Sequence, residues 1–384
     1  MDTLDRQSYI SDISGAIATH IGRSRARMPC VGPRLSAKME KGMQNLINRR
    51  WLLASYPEGL PTPENWSMDV QPVPDPGPGQ ILVKAKWLSV DPYMRGRMSP
   101  AAGYTKGVGI AEVMQGGGVG EVVASNHPVW KVGDIAESLS FGWQEWSVLT
   151  PDIFGPAGVN KIDPELAPIE SSLSWLGMPG LTAYFGLLDV GRPRPSETVV
   201  VSAASGAVGQ LVGQIAKLAG CRAVAIAGDD NKLQWCREIG FDVAINYKKT
   251  TDLTAAVKEA CPWGVDVFFD NTAGPIHDAV MKNLSIGARV VICGRIALAA
   301  QFGKSDVGER FMGHLIVTRA SIHGFLVFDW WHRRDEALRR LSEWQHAGKI
   351  RFKEDVLDGI ERMPEAFLRL LQGKNFGKQI VRIT

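Results

Sequence analysis

The hydrophobic pattern of this chain changes its period once, near residue 172. Before that point, apolar and polar residues alternate in short pieces such as Gln80–Val90, Gly120–Ala124 and Gln144–Thr150. Pro/Gly-rich turns, Pro74-Asp75-Pro76-Gly77-Pro78-Gly79 among them, divide these pieces. Short alternating runs with turn punctuation predict a small β-barrel over residues 47–150. Gly116-Gly117-Gly118 reads as a tight bend inside it.

From about Ser172 the apolar spacing becomes helical and then alternates with strands. Gly180–Leu188 predicts a helix, and Thr198–Val201 a strand. A helix follows, with Val208, Leu211, Val212, Ile215, Ala216 and Ala219 on one face. The series continues through strand Ala223–Ala227, helix Asp230–Ile239, strand Val243–Ile245 and a helix over Thr254–Ala260. Strand Val265–Asp270, helix Ile276–Leu284 and strand Arg289–Cys293 complete it. Strands alternating with helices predict a doubly wound parallel sheet.

Beyond Gly294 the pattern predicts a loop over Ala299–Arg310 and an apolar strand around Ile316–Val327. Helix Trp331–Ala347, strand Phe352–Val356, helix Glu365–Leu371 and strand Gln379–Ile383 follow. A six-stranded doubly wound sheet has no room for the last strands, so they are expected to return to the first domain. The expected division is 43–170 with 326–384, and 171–325.

Residues 1–42 fit neither pattern. Nine Lys/Arg stand against four Asp/Glu in residues 1–50, a balance of +5, which leaves −2 of the total +3 for the remainder. This stretch reads either as an Arg-rich organelle transit peptide or as a disordered or upstream-initiated extension. The body has no basic excess, so nucleic acid is a poor partner, and no apolar run is long enough to span a bilayer. The five cysteines are odd in number and scattered. They predict neither a disulfide framework nor a metal site, and they fit the reducing cytoplasm, with the mitochondrion as the alternative if 1–42 is a transit peptide.

The candidate chemistry starts at the turn Ala203-Ala204-Ser205-Gly206-Ala207-Val208-Gly209, between the first strand of the parallel series and its helix. This is a dinucleotide fingerprint with Ala204 in place of its first glycine. Gly206 allows close approach to a pyrophosphate, and Gly209 allows close helix–strand packing. The next strand ends in Gly228, where an NAD binder carries an acid for the ribose 2′-OH. Lys232 lies just beyond. Gly228 removes a repelling carboxylate and Lys232 supplies a positive charge, which favours NADP(H). Asp229 and Asp230 read as helix-capping acids. No hydrolase motif is present, and the seven histidines are dispersed, none reading as a ligand.

Four ordered blocks resemble the zinc-independent medium-chain reductases: the prostaglandin, plant double-bond and bacterial curcumin reductases. They are Val90-Asp91-Pro92-Tyr93-Met94-Arg95-Gly96-Arg97-Met98, Met178–Leu187, Phe241–Lys248 and Gly373-Lys374-Asn375-Phe376-Gly377-Lys378. The likeness covers roughly 45–384, and Asn48–Ser55 is most similar to the curcumin-reductase branch. It implies a GroES-like barrel domain beside a Rossmann domain, a homodimer, and NADP(H) in the cleft. It implies that Ala204, Gly206, Ala207 and Val208 meet the pyrophosphate, and that Lys232 and Tyr247 hold the 2′-phosphate beside Gly228. Asn375 reaches the cofactor, and Asn271, Cys293, Gly294 and Phe325 lie on its nicotinamide side. The implied reaction is reduction of the C=C bond of a small α,β-unsaturated ketone or aldehyde.

One position departs from that pattern. The family places a tyrosine, a candidate proton donor, where Ala299 stands here. The remaining donors are Tyr104, Tyr93, water and the nicotinamide ribose hydroxyl, with Tyr104 favoured. Two rival readings stay open: a quinone reductase of the same fold, and a non-catalytic NADP(H)-binding sensor.

Overall fold

The computed structural model describes residues 46–100 and 106–383. The expected extension at 1–42 and the candidate Tyr104 lie outside the described residues.

Strands β1 (Ile47–Leu53) and β2 (Trp66–Pro72) form an antiparallel hairpin. Strands β3 (Ile81–Ser89), β4 (Gly118–Ser125), β5 (Ile135–Ser138), β6 (Trp146–Leu149) and β7 (Asn160–Ile162) follow. Their inward residues, among them Ile81, Val83, Ala85, Leu88 and Val122, alternate along the chain and close on Trp66, Phe141 and Trp143. Gly116–Gly118 is no bend. Gly116 and Gly117 carry no turn or bend, and Gly118 begins β4. A Cβ on Gly118 would sit 2.6 Å from the Phe141 ring, so the glycine makes room for that ring.

The parallel series is β8 (Thr198–Ser202), β9 (Arg222–Ala227), β10 (Val243–Asn246), β11 (Val265–Asp270), β12 (Leu284–Ile292) and β13 (Ser321–Gly324). Their order is β10-β9-β8-β11-β12-β13, all parallel. This is the doubly wound order that reverses direction between β8 and β11. Both faces are apolar, as a sheet covered on both sides requires. Val199 and Val201 join Phe269 and the helix Gly209–Leu218 on one face. Val200, Val224 and Phe268 join Val257 and Val280 on the other.

The strand expected around Ile316–Val327 is instead a helix, Met312–Thr318, followed by the short β13. The β-branched run Ile316-Val317-Thr318 imitates a strand. Thr318 Oγ1 donates to His314 O at 2.8 Å, satisfying its hydroxyl inside a helix, and Arg319 ends the helix at φ +52°. The loop expected from Ala299 opens with a 3₁₀ turn, Ile296–Gln301.

Helix Arg334–His346 still packs beside the six-stranded sheet, with Leu341 and Ile350 in its core. Strands β14 (Glu354–Asp358) and β15 (Lys378–Arg382) then return, and β15 pairs antiparallel with β3. The returning segment is held against the helix after β8. Gln210 and Gln214, both buried, exchange paired bonds with the backbones of Lys353 and Arg351 at 2.7–3.1 Å. Among the described residues, no helix is long and apolar enough to cross a membrane.

Glu137, in β5, is almost fully buried. Burial pushes its carboxyl up to about 7, although Asn160 Nδ2 donates to it at 2.7 Å and Arg334 lies in its field. A carboxyl raised in the folded state contributes its stability below the unfolded value near 4.5 and loses it as pH climbs to about 7. Glu137→Gln should therefore match the parent chain near pH 4.5. At pH 8 it should be more stable by about 1–3 kcal/mol. Urea unfolding midpoints at the two pH values test this, and an equal offset at both would contradict it.

Candidate active site

The C-terminal ends of the parallel strands carry nearly every residue singled out in the sequence. After β8 the chain turns through Ala203, whose φ of +47° is a left-handed value uncommon for alanine. Ala204 is buried beneath the turn, while Gly206, Ala207 and Val208 are half-exposed along its top. Among the described residues, the amides of Ala207 and Val208 donate to no backbone or side-chain acceptor. A Cβ on Gly209 would collide with the Ala203 carbonyl and the Ala204 backbone, so only glycine lets the helix start this close to the strand. Two open amides at the start of a ten-residue helix form a cradle for an anion.

At the end of β9, Gly228 is covered by Tyr247. A Cβ there would lie 2.8 Å from the tyrosine ring and 2.9 Å from Lys248 Cε. Sequence reading explained Gly228 by the missing carboxylate; the structure adds a steric reason. Asp229 caps the next helix, accepting from Asn231 N at 2.9 Å and Lys232 N at 3.2 Å. Asp230 is engaged by Lys249 and by Asn246 Nδ2. Both acids are thus occupied locally. Lys232 Nζ donates to Gly373 O at 2.6 Å, and burial lowers its pKa despite Asp229 nearby. A doubly charged phosphate would relieve that desolvation. The Lys232 bond also brings the Gly373–Lys378 block to this corner. Asn375 is buried there and donates through Nδ2 to Gly377 O at 2.8 Å.

On the other side of the switch point, Asn271 Nδ2 donates to Ser202 O at 2.8 Å. Cys293 and Gly294 donate their amides to Asp270 O at 2.9 and 3.1 Å. Burial pushes the Cys293 thiol up to about 12, with the Asp270 charge adding to the effect, so it is neutral. Phe325 packs edge-on against Phe269 and Trp330.

Tyr93 stands apart, on the barrel side. It is half-buried, and the Arg97 guanidinium lies 5.7 Å from its ring centre. The Phe302 ring links the two sides: Arg95 lies 5.0 Å and Arg295 5.3 Å from its centre. Ala299, at the family's tyrosine position, is buried in the barrel core.

Two family models match this chain, the "N-terminal domain of oxidoreductase" over residues 49–155 and "Zinc-binding dehydrogenase" over residues 207–343. NADPH-dependent curcumin reductase of Escherichia coli is 41% identical over 347 residues, 89% of this chain and 99% of that protein. The chain belongs to the medium-chain dehydrogenase/reductase family. The NADP(+)-dependent 2-alkenal reductase of Nicotiana tabacum is 38% identical over 89% of this chain and 99% of that protein. The crystal structure of CurA from Vibrio vulnificus in complex with NADPH superposes with a TM-score of 0.81 at 40% identity, covering 88% of this chain and 99% of that one. Among the described residues, no three His, Cys, Asp or Glu side chains gather closely enough to hold a metal ion.

Sequence reasoning missed two polar clusters of this reductase fold. One is a buried ion pair: Lys378 Nζ lies 2.5 Å from Asp91 Oδ1 and donates to Val90 O at 2.9 Å. Ser89 Oγ donates to the other Asp91 oxygen. The pair fastens the Val90–Met98 block to the Gly373–Lys378 block. Its signal was an acid two residues past β3 and a base opening the last strand, in blocks far apart in sequence. The second cluster is Ser202, Asp270 and His277, hidden because dispersed histidines carry no spacing signal.

Removing one member of a buried pair leaves an uncompensated charge, at a cost of about 3–5 kcal/mol. Lys378→Ala should lower the unfolding free energy by that amount, and Lys378→Ala/Asp91→Ala should recover part of the loss. A double-mutant cycle with no coupling would contradict the pairing.

Proposed function

We propose that this chain reduces the C=C bond of α,β-unsaturated ketones and aldehydes, with NADPH as the electron donor. The observation that carries the reading is the corner at the end of β9. There Gly228 offers no carboxylate and is covered by Tyr247 and Lys248, the nearby acids Asp229 and Asp230 are occupied by a helix cap, Asn246 and Lys249, and Lys232 reaches the Gly373 carbonyl. Near-complete alignment with an NADPH-dependent reductase supports it.

In this reading, the amides around Gly206, Ala207 and Val208 receive the pyrophosphate, with Ala204 packed below. Lys232 and Tyr247 hold the 2′-phosphate beside Gly228, and Asn375 braces the same corner. Asn271, Cys293, Gly294 and Phe325 line the nicotinamide side, where a neutral Cys293 keeps the wall uncharged. When bound, NADPH supplies a hydride for the substrate's β-carbon. Charge then grows on the substrate's carbonyl oxygen, which requires a dry pocket and a hydrogen-bond donor. Tyr104 supplies the proton that the enolate takes up, and Tyr93, its ring held by Arg97, is the second candidate to contact the substrate. With Ala299 turned into the barrel core, that loop position offers no hydroxyl. The cofactor body is 171–353 in this scheme, because Leu341 and Ile350 belong to its core. The substrate body is 43–170 with 354–384.

The chain acts as a homodimer in the cytoplasm. Strand β13 is an edge of the parallel sheet, and Met312, Ile316, Val317 and Ile322 stand exposed beside it. An apolar sheet edge calls for a covering partner, here a second copy. Cys221, Cys236, Cys261 and Cys293 are all unpaired, which suits a reducing compartment. Sedimentation should give a dimer that Ile316→Lys/Ile322→Lys shifts to monomer; a monomeric parent chain would contradict this.

Steady-state NADPH oxidation tests the activity across an enone, a quinone and a saturated aldehyde. Turnover with the enone alone is expected. Quinone turnover without enone turnover would make the chain a quinone reductase, and binding without turnover would make it a sensor. Lys232→Ala should weaken NADPH by about 1.5–3 kcal/mol, the range of a charged hydrogen bond, and leave NADH affinity unchanged. Tyr104→Phe should lower kcat at unchanged NADPH affinity; unchanged kcat removes Tyr104 from the reaction.

A further inference from the structure

Asp270 gathers five side-chain hydrogen bonds in the interior among the described residues. It is completely buried at the end of β11. Its Oδ1 accepts from Ser202 Oγ at 2.9 Å, Thr272 N at 2.9 Å, Thr272 Oγ1 at 3.1 Å and Ala273 N at 3.0 Å. Ser202 Oγ in turn accepts from Asn271 N at 2.8 Å. The Asp270 carbonyl receives Cys293 N and Gly294 N. One residue therefore ties together the ends of β8, β11 and β12. It also holds Ala273 in a strained conformation, φ +57°, just before the next helix.

A carboxylate with four neutral donors in a dry interior still needs a compensating charge. His277 answers it: its Nδ1 sits 2.9 Å from Asp270 Oδ2. His277 lies in the first turn of helix Gly274–Met281, where the helix dipole opposes a positive charge. Burial opposes it too. The bond to Asp270, and the fields of Asp270, Asp278 and Asp306, outweigh both and raise the imidazole's pKa. Asp270 comes from β11, Asp278 from the same helix, and Asp306 from the loop before Arg310. The aromatic rings facing His277 are Phe268 and Phe311, at 6.0 and 6.3 Å.

We propose that His277 is a positioning residue for the dinucleotide: its imidazolium neutralises Asp270 and so holds the strand ends that receive the cofactor. This rests on the cofactor placement proposed above. A bound dinucleotide brings several negative charges to the turn that follows Ser202. Those charges favour the protonated ring, so by linkage the protonated ring favours the cofactor. The contribution to binding is complete while the ring of the cofactor-free protein is protonated, and is lost as pH rises through its raised pKa and that of the complex.

The test is the NADPH dissociation constant of the full chain from pH 6 to 9, for the parent, His277→Gln and His277→Ala. Glutamine keeps a donor toward Asp270 without the charge. The 2′-phosphate titrates near pH 6 in every variant, so it cancels in the ratio of variant to parent. That ratio should be roughly threefold or more at pH 6, equivalent to a half-unit change in the ring's proton affinity, and should approach one at pH 9 for His277→Gln. His277→Ala should stay weaker throughout, since it leaves Asp270 one donor short. A ratio independent of pH overturns the proposal. Should His277→Gln fail to fold, calorimetry of the parent chain in buffers of different ionisation enthalpy decides. Above about pH 7.5 the 2′-phosphate is already ionised. NADPH binding there must take up a fraction of a proton in the parent chain and in Lys232→Ala alike, since Lys232 with its lowered pKa could itself take one up, and zero uptake overturns the proposal. Lys232→Ala, run alongside, separates the two readings. If its NADPH affinity is unchanged, the cofactor placement falls, whereas a flat ratio at His277 removes this inference alone.

Discussion

A doubly wound sheet must part at its switch point, and here it parts between β8 and β11. The backbone groups at those strand ends lose their sheet partners on the side where the connections diverge. Asp270 meets that constraint. Its carboxylate and carbonyl collect the groups that the divergence exposes, and Ser202 relays the same network to the turn that follows β8. The open amides at Ala207 and Val208, the Asn271 side chain and the Cys293–Gly294 backbone all keep their places relative to this one buried acid.

The second requirement is that the segments returning from one sheet to the other keep their places. Polar contacts fasten them. Gln210 and Gln214 bind the returning backbone at 351–353. Lys378 and Asp91 then join the last strand to the turn after β3. Phe302, between Arg95 and Arg295, secures the loop that follows β12. Each contact joins distant parts of the chain and is geometrically specific, which suits positioning more than bulk stabilisation.

The opposite corner shows how one residue type can serve two ends. Gly228 leaves the end of β9 without a carboxylate, and it also leaves room for the Tyr247 ring. The charge argument and the space argument agree on glycine. Tyr247 and Lys248 therefore lie over a place where a side chain would interfere.

The parallel series was legible in the sequence because each buried strand and each amphipathic helix carries its own period over several turns. The fingerprint turn was legible because its small residues sit at a strand–helix junction. The return of the last strands followed from counting the strands the sheet could hold. The region from Ile316 to Val327 misled, because β-branched residues fit a strand by pattern while Thr318 satisfied itself by a bond one helical turn back. Gly116–Gly118 misled because a glycine needed for a neighbouring ring looks the same as one needed for a turn. Sequence by itself determined the elements, the dinucleotide turn and the preference for a phosphorylated cofactor, since these rest on residues close together in the chain. Only the tertiary structure decided that Lys378 pairs with Asp91, that His277 answers Asp270, and that Ala299 faces the barrel core. Those outcomes depend on burial and on partners that folding alone brings within hydrogen-bonding distance.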